Sequence, residues 1–104
     1  MPIGRFILMG RKARLKPAKL ARKLTHIRTS LGLSQSEMIW KLRLTDELRQ
    51  SHISGYERGT GEPSLIVLLR YARLAGVSME MLVDDELDLP ERLPVAPKSR
   101  KSRK

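Results

Sequence analysis

The 104-residue chain contains no cysteine, which excludes disulfides and thiolate metal sites. Its aromatic residues are four, Phe6, Trp40, Tyr56 and Tyr71, so Leu, Ile, Val and Met must fill any core. Two histidines, His26 and His52, are too few to hold zinc without carboxylate help. No stretch approaches the roughly 20 apolar residues that span a bilayer. The apolar run Phe6-Ile7-Leu8-Met9 is too short for a signal-peptide core, and no small-residue cleavage site follows it. There is no nucleophile–base–acid set and no glycine-rich phosphate loop. These absences predict a cytoplasmic, non-enzymatic chain that takes no metal or cofactor and has no membrane partner.

One sign of charge is also missing from both ends. Residues 1–36 hold nine Lys/Arg and residues 98–104 hold five, with no Asp or Glu in either stretch. The segment 37–97 carries seven basic and all eleven acidic residues, so the net charge of +10 resides on the termini. Such an excess points to nucleic acid or an anionic membrane as partner. Arg11, Lys12, Arg14 and Lys16 precede Pro17 and read as a basic arm. Residues 1–16 are therefore expected to form a flexible basic arm, 17–88 the folded domain, and 89–104 a disordered tail rich in proline and basic residues.

Between these ends the pattern is helical. Pro17 suits the start of a first helix, along which Leu20, Leu24, Ile27 and Leu31 recur on one face before Gly32 ends it. Ser34-Gln35-Ser36-Glu37 is a capping box opening a short second helix through Met38, Ile39 and Leu42. A third helix covers part of 45–57, with Gly59 past its end. Ser64 caps a fourth, expected to bury Leu65, Leu68, Leu69 and Ala72, and Gly76 closes it. Ser78 caps a short fifth helix from Met79 to about Asp84. The fold class is all-α, a compact five-helix bundle. Asp84, Asp85, Glu86 and Asp88 read as a solvated patch at a helix end rather than a metal site.

A capped short helix followed by a connection and a second short helix is the arrangement in which the second helix enters the major groove of duplex DNA. In Gln50-Ser51-His52-Ile53-Ser54-Gly55-Tyr56, Ile53 and Tyr56 are three apart and face the core, which leaves Gln50, Ser51 and Ser54 on another side. Glutamine pairs bidentately with adenine. Arg49 and His52 are further candidates for DNA contact, and the arm residues Arg11, Lys12 and Arg14 for phosphates or a groove. His26 reads as a boundary residue, and Trp40 as a packing residue on the second helix.

The runs 33–38, 53–59, 62–64 and 68–78 resemble the Cro/C1 (XRE) family of phage and bacterial helix-turn-helix repressors over about residues 20–84. The resemblance implies a phage-repressor-type five-helix fold, duplex DNA as ligand, and homodimers on palindromic operators. It implies that Gln35 touches a phosphate and braces the recognition helix, and that Gln50, Ser51 and Ser54 read bases. At a further base-reading position of some members stands Gly55. It also implies an Arg28–Glu57 pair tying the first helix to the end of the recognition helix. One departure is four extra residues between Leu42 and Ile53. Either Thr45 caps a longer recognition helix, or the turn widens and the helix starts near Arg49. A partly helical connection leaving Gln50 at the groove is the favoured form. The expected function is a sequence-specific regulator, a repressor acting by operator occupancy. The alternative is an antitoxin that binds its own promoter and a toxin partner. Val77, Met79, Leu82 and Val83 either build a dimer contact or close the monomer core.

Overall fold

A computed structural model describes residues 16–94. The expected arm residues Arg11, Lys12 and Arg14, and the tail from residue 95, lie outside the described residues. Five helices follow one another with no strand among the described residues: α1 (Leu20–Ser30), α2 (Gln35–Leu42), α3 (Gln50–Arg58), α4 (Leu65–Ala75) and α5 (Met79–Val83). Their ends are set largely by local chemistry. The Ser34 hydroxyl accepts the Glu37 N–H at 3.0 Å while the Glu37 carboxylate accepts the Ser34 N–H at 2.8 Å. Ser64 and Ser78 likewise accept from Val67 and Met81, each at 3.2 Å. Helices α3 and α4 end on left-handed glycines, Gly59 and Gly76.

The core is one cluster drawn from all five helices. Leu24, Ile27, Met38, Leu42, Ile53, Tyr71, Leu82 and Leu93 are its largest fully buried members, each burial contributing roughly 2 kcal/mol. Tyr71 brings a hydroxyl with no partner among the described residues, and burial holds its pKa well above the usual tyrosine range.

Several expectations are corrected. The fourth helix buries Val67, Leu68, Tyr71, Ala72 and Ala75, whereas Leu65 is 73% exposed. Its first five residues are all apolar, so periodicity alone does not fix which face turns inward. Trp40 does not pack on α2; it is 75% exposed, opposite the buried Met38, Ile39 and Leu42. The packed region runs past residue 88: Leu89 packs against the core and Leu93 is 1% exposed. Leu82 is fully buried, and Val77 and Met79 pack on the cluster, so these residues close the monomer and leave Val83 exposed.

The first helix has no cap of its own. Asp85, which follows α5, supplies one from 66–67 residues away, its two carboxylate oxygens accepting the Ala18 N–H at 2.8 Å and the Lys19 N–H at 3.1 Å. These amides, Ala18 first, hold its carboxyl below the usual range. In return Lys23, only 6% exposed, sends its ammonium to the Met81 and Asp84 carbonyls at 2.7 and 3.0 Å. Each helix of this pair thus completes an end of the other. The expected solvated patch is in part a cap.

Candidate nucleic-acid interface

The four extra residues widen the turn. Helix α2 ends at Leu42, Arg43 adopts a left-handed conformation, and the chain makes one isolated turn in which Leu44 accepts from Glu47 and Leu48. Leu44 is buried and Leu48 partly so, which anchors the insertion to the core. Helix α3 then starts at Gln50 with Arg49 as its first flanking residue, and Thr45 caps nothing. Arg49 has no side chain suited to accept an amide. The next turn compensates, because His52 Nδ1 accepts the Arg49 N–H at 2.9 Å.

From this start a chain of polar contacts runs back to α1. Gln50 Nε2 donates to Gln35 Oε1, and Gln35 Nε2 donates to Glu57 Oε1 at 3.1 Å. Glu57 accepts two parallel bonds from Arg28, at 2.6 Å from Nε and 3.0 Å from Nη2, and Arg28 Nη1 also reaches the Leu33 carbonyl at 2.8 Å. The Arg28 and Glu57 side chains are 17% and 8% exposed, so this fork is well shielded from water. The hydrogen bond to Glu57, more than burial opposes it, holds the Arg28 guanidinium above its ordinary pKa. Gln35 sits at the first turn of α2, and its amide couples the two helices of the motif.

The outward side of α3 is polar. Gln50, Ser51 and His52 are exposed and Ser54 is half-buried. The Ser54 hydroxyl accepts from Arg58 Nη1 at 2.8 Å. Sequence reasoning missed Arg58, although its i+4 spacing from Ser54 places both on one face. Gly55 is buried, not outward: its carbonyl accepts the Thr60 and Gly61 N–H groups, and a Cβ there would lie 3.5 Å from Thr60 Oγ1. That position is covered by the chain folding back after Gly59. His26, half-buried on α1, reaches the Pro90 carbonyl at 3.3 Å and takes no part in this surface.

Among the described residues no group of three or more His, Asp or Glu side chains is placed to hold a metal ion, and no helix is long and apolar enough to cross a membrane. The helix-turn-helix family model matches residues 24–82, more than half of the chain. No curated protein matches the sequence. Among solved structures the fold is similar to that of a hypothetical transcription factor, NHTF, from Neisseria, at 20% identity and a TM-score of 0.53, over 88% of this chain and 95% of that one.

Proposed function

The chain belongs to the helix-turn-helix family (XRE type), and on that premise we propose that it is a sequence-specific regulator of transcription that binds duplex DNA. One observation carries the reading: the Arg28–Glu57–Gln35–Gln50 chain holds an exposed polar helix against a capped partner helix. In this role Gln50, Ser51 and Ser54 face base edges, and Arg49, His52 and Gln35 flank them near phosphates. Gln35 occupies one of the two Gln50 amide hydrogens. The other hydrogen and the carbonyl are left as the donor–acceptor pair that adenine requires.

Affinity and reading are divided. The described residues hold twelve Lys/Arg against eleven Asp/Glu, so nine of the ten net charges lie in 1–15 and 95–104. The arm residues Arg11, Lys12 and Arg14 accordingly track phosphates, and the helix reads sequence. Two copies bind a two-fold symmetric operator, and occupancy blocks transcription.

Selection of bound sequences from a random duplex pool tests this. A palindromic motif with half-sites about one helical turn apart is expected, and recovery of no motif would overturn the reading. Removing residues 1–15 is expected to weaken binding to every duplex and to flatten the salt slope by about three.

A further inference from the structure

A second surface is left unused by this reading. Lys41, Arg43, Arg70 and Arg73 line an open surface hollow of about 510 Å³, beside Leu42 and Leu74. No carboxylate lines it, and none of the four cations makes an ion pair with a described residue. In a domain with nearly balanced charges, four unopposed cations around one hollow repel one another until an anion enters.

Two details show that the arrangement is built. Arg70 is fixed by the backbone, its Nη1 donating to the Leu42 carbonyl at 2.8 Å and reaching the Arg43 carbonyl at 3.4 Å. Arg43 is the one non-glycine with positive φ among the described residues, at φ 62° and ψ 43°. The other positive-φ positions, all at or just past helix ends, are glycines: Gly32, Gly59 and Gly76. An L-residue is disfavoured in this conformation, so Arg43 carries a backbone cost that a glycine would not.

We propose that this hollow binds a polyphosphate, with guanidinium groups forking onto phosphate oxygens. The phosphates come either from a free polyphosphate or from a nucleic-acid backbone. The site gathers at the C-terminal end of α2, whereas the Gln35 contacts lie at the other end, about 12 Å along the helix.

The test titrates the full chain calorimetrically with inorganic triphosphate and compares Lys41→Ala/Arg73→Ala with the parent. Both replaced residues are exposed, and an unchanged melting temperature checks the fold. The basic termini also attract triphosphate, so the readout is the difference between the proteins. A loss of tenfold or more in the double variant supports a free polyphosphate. Equal triphosphate binding, with a duplex-DNA salt slope flatter by about two, assigns the site to backbone phosphates. Arg43→Gly separates ligand from backbone: weaker binding with an unchanged or higher melting temperature is expected. If neither triphosphate affinity nor salt slope changes in any variant, the proposal is wrong. The triphosphate arm needs no DNA, so it stands apart from the fate of the operator reading.

Discussion

The first helix carries two polar joints, and they end differently. At one, Lys23 and Asp85 exchange contacts with backbone groups of the opposite helix end, and every partner is main chain. At the other, Arg28 starts a series of side-chain contacts through Glu57 and Gln35 that finishes on an exposed amide, Gln50. The closed joint satisfies helix ends and adds nothing to the surface. The open one converts a shielded ion pair into the orientation of a group that water, or a ligand, reaches. A polar network that stops inside the protein reads as architecture; one that emerges reads as a site.

Breaking the open joint at its root is expected to have the largest effect. Arg28→Ala strands the Glu57 carboxylate in a shielded position, costing about 3 kcal/mol by denaturant unfolding, and frees Gln35 and Gln50 to lose DNA affinity as well. Breaking the closed joint should separate the two properties. Lys23→Met keeps the apolar stem but leaves two carbonyls unmatched, at roughly 2 kcal/mol of stability, while the folded fraction binds DNA as before. Equal loss of DNA affinity in both variants would erase the distinction.

Two milder changes sharpen it. Gln50→Ala removes only the exposed end of the open series, so stability should move by no more than about 0.5 kcal/mol. Discrimination at one base pair should fall by about 1–3 kcal/mol, read from competition with single-base operator variants. Asp85→Asn should lower the melting temperature by a few degrees at neutral pH. The Asp85 carboxyl is depressed on folding, so its contribution is present above the unfolded value near about 3.9 and fades as pH falls through the folded one. Parent and variant should therefore differ at pH 7 and converge in acid.

What the sequence made legible was local. The caps at Ser34, Ser64 and Ser78 and the turns at Gly32, Gly59 and Gly76 depend on neighbours three to five residues away, and a single chain displays them. Ile53 and Tyr56 were readable for the same reason. The Arg28–Glu57 contact spans 29 residues and entered only through family resemblance. Lys23 lies three residues after Leu20 and four before Ile27, on the apolar face, and is only 6% exposed. Only the α5 carbonyls explain it. Leu44, Leu93 and the exposure of Trp40 and Leu65 likewise depend on which surfaces other segments happen to cover. Of the interface, the helix was legible and the relay behind Gln50 only in outline. The covering of Gly55 by the 60–61 loop was not.

The cap that Asp85 lends to the first helix also bears on how the chain is made. Leu20 to Ser30 is synthesised early, but the carboxylate that accepts its leading amides follows 66–67 residues later. Throughout that interval the leading amides of this segment lack their carboxylate acceptor. Folding is thus closed from the C-terminal side. A ribosome-bound fragment ending before residue 85 holds α3 and its glycine stop, Gly59, yet not the carboxylate that caps the first helix.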